Sequence, residues 1–338
     1  MFRTEAELDD ALSEPTPQVI ETLARLPGDI VFLGAAGKMG PSLARMAKRA
    51  SDAAGVRRRV IAVSRFSTGG EAAFTANGVE TIHCDLLDED DVAKLPDAPN
   101  VVSMCGRKFG STGDEGATWA VNCYLPAVVC RKYRNSRIVA FSTGNVYPLA
   151  PVAGRGPIES DPLAPVGEYG MSALGRERMF GYFSQALGVP VSVIRLNYAC
   201  DLRYGVLVDL ARKVLAGEPV DLAMGHFNTI WQGDANAMTL RAFAFAAVPL
   251  QAFNVTGPEV LSVRRVCEKF GERFGVAPRF SGTEADTALL SDATAGLAAL
   301  GPPRVSTDTL IGWVADWVKA GGRLLNKPTH FEARDGKF

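Results

Sequence analysis

Asp29-Ile30-Val31-Phe32-Leu33-Gly34-Ala35-Ala36-Gly37-Lys38-Met39-Gly40 decides how this chain folds. The apolar run at its start predicts a short buried strand. Gly34, Gly37 and Gly40 follow with G-x-x-G-x-x-G spacing. Pro41 to Ala50 then has a helical pattern, with Pro41 in the first turn where proline is tolerated. Glycines between a strand and a helix let the backbone turn tightly and approach a pyrophosphate, whose charge sits at the helix N-terminus. A glycine triple alone is weak evidence, but one placed after a first buried strand is strong. Gly34, Gly37, Lys38, Met39 and Gly40 are therefore expected to cradle a dinucleotide.

Working outward, Val60–Val63, Val101–Met104, Arg137–Phe141 and Val191–Arg195 read as further strands. Helical stretches at 115–132 and 168–187 separate some of them. Strands alternating with helices indicate a parallel α/β sheet. Residues 5–26 read as one polar, partly amphipathic lead-in helix. After residue 200 the pattern loosens: 204–216, 231–246, 263–274 and 310–320 look helical, and Phe253–Val255 reads as a strand. Asp234 is expected to cap the helix that follows it. The Pro/Gly-rich segment 148–167 is a long loop of the kind that often carries function.

The 338 residues can bury a large core, and 47% hydrophobic with 22% charged residues is ordinary for a globular protein. With 36 basic and 37 acidic residues the net charge is −1, which gives no electrostatic reason to expect nucleic acid or an acidic membrane as partner. No apolar run is long enough to span a bilayer, and the acidic N-terminus lacks the apolar core of a signal peptide, so a cytoplasmic protein is expected. The six cysteines form no Cys-x-x-Cys pair and the three histidines are far apart, so free thiols and no metal centre are expected.

Ser64-Arg65 ends the second strand, where an NAD enzyme usually carries an acidic residue for the ribose hydroxyls. An acid would repel a 2′-phosphate, whereas arginine pairs with one, so NADP is preferred over NAD. Asp85 and Leu86, after the third strand, are placed to contact the adenine.

Taken in order, the glycine loop, CDLLD (84–88), Asn122 in WAVNCYLP, FSTGNVYP (141–148) and EYGMSALGRE (168–177) resemble the extended short-chain dehydrogenases/reductases, the NAD(P)-dependent epimerase/dehydratases. The resemblance covers roughly residues 28–320. It implies a Rossmann-type doubly wound parallel sheet with a smaller, discontinuous C-terminal substrate lobe. The expected division is a lead-in over 1–27, the cofactor-binding domain over 28–200 with 226–258 returning to it, and the lobe over 201–225 and 259–338. The resemblance puts Thr143 and Tyr169 in catalytic positions, Thr143 orienting the reacting oxygen and Tyr169 exchanging the proton. It brings Cys105 and Gly106 to the cofactor and Ser142, Asn145 and Asn197 to the substrate. It also implies a homodimer packed through 115–132 and 168–187.

Ala173 breaks the pattern, because the family's Tyr-x-x-x-Lys has lysine there. A free phenol with pKa ~10 is only about one part in a thousand ionised at neutral pH. The family lysine, on the same helix face four residues on, supplies the charge that corrects this. Three readings stay open. Another cation substitutes, with Lys108 the first choice and Arg176, ~10 Å along the helix, the weaker one. The chemistry needs no tyrosinate. Or the chain is a non-catalytic cofactor-binding regulator. Arg107, Lys108, Arg203 and His226 are expected to form an anion-attracting substrate pocket. The stretch 224–234 lacks the arginine that nucleotide-sugar enzymes of the family carry, which favours a smaller sugar acid or free sugar derivative. The resulting expectation is an NAD(P)-dependent oxidoreductase or epimerase/dehydratase acting on a carbohydrate-derived anion.

Overall fold

A computed structural model describes residues 2–337. Seven strands form one sheet: β1 (Ile30–Leu33), β2 (Val60–Ser64), β3 (Glu80–His83), β4 (Asn100–Ser103), β5 (Arg137–Thr143), β6 (Val191–Leu196) and β7 (Gln251–Val255). Their spatial order is 3-2-1-4-5-6-7 and every pairing is parallel. β1 and β4 are buried along their whole length, which is why β1 reads as an unbroken apolar run rather than an alternating one, while β4 adds buried Asn100 and Ser103 at its two ends. The order reverses between β1 and β4, so a crevice opens beyond their C-terminal ends.

Helices cover both faces. α3 (Gly40–Ala53) follows the glycine loop, α4 (Leu125–Lys132) precedes β5, and the 21-residue α5 (Gly167–Leu187) precedes β6. A second hydrophobic core forms the C-terminal lobe. It includes α6 (Val206–Leu215), α8 (Val263–Phe274) and α9 (Thr307–Lys319). α7 (Gln232–Arg241) packs instead in the sheet's core.

Three local expectations are corrected. The lead-in is two helices, α1 (Glu5–Leu12) and α2 (Pro17–Arg25). Thr16 caps α2 and Pro17 starts it, so the chain breaks there. The break lets Leu8 and Leu12 enter the lobe core while Val19 and Leu23 enter the sheet core. The helix over 115–132 is interrupted by a wider π turn at Ala120–Tyr124. Pro126, just beyond, has no N–H to give back to residue 122, and the turn absorbs the missing bond. Asp234 lies inside α7 and accepts from Arg304 Nε (3.2 Å) and the Val305 N–H (3.0 Å), so it fastens the lobe's 304–305 segment and caps nothing.

Candidate active site

The crevice at the sheet's reversal point holds a cavity of about 310 Å³, small for a ligand pocket. Gly34, Gly37, Lys38 and Met39 line one side of it, and Met104, Gly106 and Lys108 come from the loop after β4. Gly34 has φ +77° and lies against Cys105, where a Cβ would meet Sγ at 2.9 Å. A Cβ on Gly40 would fall 1.7 Å from the Ala35 carbonyl oxygen, so only glycine lets the loop close onto α3. Gly37 leaves open space on its ligand side, with its nearest Cβ neighbour at 3.8 Å. This cradle fits a pyrophosphate.

Thr143 and Asn145, at the end of β5, and Tyr169, in the first turn of α5, line the same cavity. The Thr143 Oγ1 accepts from the Asn145 N–H (3.2 Å) and Nδ2 (3.0 Å), which orients both side chains. Asn197 is 2% exposed and its Nδ2 has no partner among the described residues, so a buried donor here awaits a ligand acceptor. Ser142 also faces the cavity, and its hydroxyl donates to Glu177 on α5.

Ala173 is fully buried with Val146 and Tyr147, so the position of the missing lysine is filled by packing. Arg176 brings its guanidinium to the cavity instead. It lies against Gly106, donates to the Phe141 carbonyl (3.1 Å) and to Asn122 Oδ1, and forms no ion pair among the described residues. Asn122, in the π turn, also accepts from the Arg107 N–H (3.0 Å) and donates to Ser172 Oγ (2.8 Å). It joins the β4 loop to α5, and Pro126 beyond the turn is the sequence signal for its special geometry.

Arg107, Arg203, His226, Asp85 and Leu86 are engaged outside this cavity. Arg107 turns away from the cavity to pair with Asp114 (2.7 Å). Arg203 pairs with Asp201 (2.8 Å), Asp9 (2.9 Å) and Glu5 (3.5 Å), holding α1 to the lobe. His226 starts a two-residue strand paired with Ser262 and lines a separate surface groove with Arg264 and Arg265. Leu86 is core, and Asp85 Oδ1 accepts the Leu87 N–H (3.0 Å), making a turn. Arg65 is exposed beside half-buried Ser64 at the end of β2. Cys105 is half-buried, and burial pushes its thiol up to about 12, so it stays protonated.

Two lysines share the outer part of the cavity. Burial pushes Lys38 down to about 7, helped by the neighbouring Lys108 and Lys327 charges, and pushes Lys108 down to about 8. The segment 327–336 runs back across the cavity mouth. The Thr329 carbonyl accepts from Lys108 Nζ (3.3 Å), its N–H and hydroxyl donate to Asp209 Oδ2 (2.8 and 2.7 Å), and Phe331 is buried in the lobe core. The tail thus packs on its own chain's lobe. Tyr198, with φ +48°, is held by bonds from Thr229 Oγ1 (2.7 Å) and the Ile230 N–H (3.2 Å) to its carbonyl, an unusual conformation for a non-glycine residue at a cavity wall.

A reversal-point crevice with a glycine cradle, a Thr–Tyr pair and a covering lobe defines a dinucleotide-dependent enzyme of the doubly wound class. Residues 30–224, more than half of the chain, match the NAD dependent epimerase/dehydratase family, and the chain belongs to it: it is an NAD(P)-dependent epimerase/dehydratase-like enzyme. No curated protein sequence matches the chain. Among solved structures it is similar to a UDP-galactose 4-epimerase at 20% identity, covering 87% of this chain and 99% of that one with a TM-score of 0.69. It is similar to the UDP-glucuronic acid 4-epimerase of Bacillus cereus in complex with NAD at 17% identity, covering 86% and 96% with a TM-score of 0.71. It is also similar to an epimerase of Methanothermobacter thermautotrophicus at 16% identity, covering 91% and 97% with a TM-score of 0.72. These likenesses carry the fold. No helix among the described residues is long and apolar enough to cross a membrane.

Proposed function

We propose that this enzyme exchanges a hydride between NADP and a carbinol of a small, anionic, carbohydrate-derived molecule. The observation that carries the reading is the convergence of Gly34, Gly37, Thr143 and Tyr169 on one cavity. The cofactor would lie on the Gly34–Gly40 cradle with its 2′-phosphate toward Arg65, and it supplies the hydride acceptor. Residues 28–200 with 226–258 would hold it, and 201–225 with 259–338 would cover the substrate.

Thr143 orients the reacting oxygen and Tyr169 takes or returns its proton. The positive charge that Ala173 cannot supply comes from Arg176, whose guanidinium interacts electrostatically with Tyr169 and is hydrogen-bonded to the neutral Phe141 carbonyl and Asn122 Oδ1. Lys108 is the lesser contributor, because its Nζ already meets the Thr329 carbonyl and lies 5.9 Å from the Tyr169 ring centroid. In an epimerisation or dehydration the transient ketone would acidify the adjacent C–H. The missing arginine in 224–234 favours a sugar acid over a nucleotide sugar. Exposed Trp119, Tyr124, Met171 and Tyr182 on the two helical segments 115–132 and 168–187 extend the proposal to a homodimer, which light scattering of the purified chain reads directly.

Calorimetric titration of the cofactor-stripped protein with NADP+ and NAD+ tests the core of this reading. Micromolar binding of NADP+ and much weaker binding of NAD+ is expected, followed by reduction of bound NADP+ with a sugar acid. Binding of neither cofactor refutes it.

A further inference from the structure

Lys38 and Lys108 come from different loops, yet both line the cavity. Lys38 Nζ lies 3.1 Å from the centroid of the Tyr204 ring and 4.9 Å from that of Phe109. Lys108 Nζ lies 5.5 Å from the same Phe109 centroid. Both ammonium groups therefore approach the same aromatic ring. Lys38 forms no ion pair among the described residues. The charged groups that act on the pair are Lys327 and Glu332 in the tail and Asp209 on α6. Asp209 is already engaged, because its Oδ2 takes both Thr329 donors. Aromatic faces attract an ammonium only weakly compared with an oxyanion, which gives short, charge-assisted bonds. Two lysines brought to one cavity, with Asp209 already engaged and Glu332 acting on Lys108 from the tail, are groups that an oxyanion would recharge and bond.

We propose that Lys38 and Lys108 form a subsite for a carboxylate or phosphate of the substrate, bordered by Thr329. The inference deepens the reading above and rests on it for the identity of the ligand as substrate. Lys108 also lies beside Tyr169, so the anionic group sits only a few bonds from the reacting carbinol. That geometry describes a compact sugar acid or sugar phosphate. Lys38 belongs to the glycine loop, so the competing source of the same oxyanion chemistry is the cofactor's own pyrophosphate.

The free subsite gives up protons as pH rises through 7 to 8, and an oxyanion needs them back. Binding must therefore take up protons, and affinity must fall as pH rises above that window. At pH 8 a lysine near 7 is about one-tenth charged and one near 8 about half charged, so uptake of roughly one proton or slightly more is expected per anion. The test is calorimetry at pH 8 in two buffers of different ionisation enthalpy, using gluconate and inorganic phosphate as probes. It is run on the protein with and without saturating NADP+. Anion binding with proton uptake in the NADP+-loaded protein supports the subsite, as does weakening of about tenfold or more in Lys38→Met. Lys38→Arg should keep the binding and lose Lys38's share of the uptake, a result that unfolding does not mimic. Binding without proton uptake overturns the proposal. So does anion binding that NADP+ abolishes, together with a tenfold loss of NADP+ affinity in Lys38→Met, because the pyrophosphate then owns Lys38. If the protein ignores both cofactors yet binds the anions with uptake, the oxyanion site stands and the redox reading fails.

Discussion

Replacing Glu177 with alanine should destabilise the protein far more than any exposed ion pair would. Glu177 lies eight residues after Tyr169 on α5 and is 6% exposed. It accepts three bonds from Arg195 on β6, Nε at 3.1 and 3.2 Å and Nη2 at 2.8 Å, and a fourth from the Ser142 hydroxyl on β5. Arg195 is 5% exposed, and its Nη1 reaches Tyr147 Oη (2.7 Å) and the Glu159 carbonyl (3.0 Å). Those neutral acceptors remain in Glu177→Ala but cannot balance the charge. Removing one partner of a buried pair typically costs about 3–5 kcal/mol, because the other charge is stranded. That is a large part of the roughly 5–15 kcal/mol that holds a typical domain together. Urea unfolding reads the loss directly. The double variant Glu177→Leu/Arg195→Met removes both desolvation penalties, so it should lose at least about 2 kcal/mol less than the sum of Glu177→Leu and Arg195→Met measured singly. A loss below about 1 kcal/mol for Glu177→Ala, or additive single variants, would refute the view that this pair fixes the Tyr169 helix on the sheet.

Three further outcomes follow from the site. Gly40→Ala forces a Cβ onto the Ala35 carbonyl, so NADP+ binding by calorimetry should be lost while the lobe's resistance to proteolysis persists; retained binding would mean the loop can reopen. Arg65→Ser should weaken NADP+ by about 10- to 100-fold, the worth of one charge-assisted bond, and leave NAD+ unchanged; equal loss of both would deny Arg65 the 2′-phosphate. Ala173→Lys places a second cation and extra volume into the packed site beside Val146 and Tyr147, so a loss of about 1–3 kcal/mol is expected in urea unfolding. Arg176→Met should abolish sugar-acid turnover while NADP+ binding by calorimetry persists, and retained turnover would remove Arg176 from the proton-transfer machinery.

The sheet was legible because its signals are local. The apolar run of β1 and the glycines after it depend on the pleat, the turn and the helix start, all set within a dozen residues. The same holds for the buried strands Val101–Ser103 and Val191–Arg195. What escaped was decided by partners far along the chain. Arg203 and Arg107 have the chemistry of anion binders, but Glu5, Asp9 and Asp201 claim the first and Asp114 the second. A sequence shows how many charges there are and not which are already neutralised. Lys38 was read only as part of the glycine loop because nothing local shows that Lys108, Tyr204 and the tail meet it.

Arg176 shows how direction, as well as distance, decides a site. Counted along the helix axis, seven residues put it ~10 Å from Tyr169, which ranks it behind Lys108. At 100° per residue, however, seven steps return to within ~20° of the starting face, whereas the four steps to Ala173 leave it ~40° away. Helical side chains lean toward the N-terminus, so a long residue at position 176 reaches back over the turn before it and toward Tyr169. A lysine at 173 covers little axial distance and needs free space beside Tyr169, which Val146 and Tyr147 occupy here. The exchange of a cation at i+4 for one at i+7 is thus a single physical change, in which packing closes one approach to the cavity and the longer guanidinium uses the other, with Asn122 and the Phe141 carbonyl fixing its end.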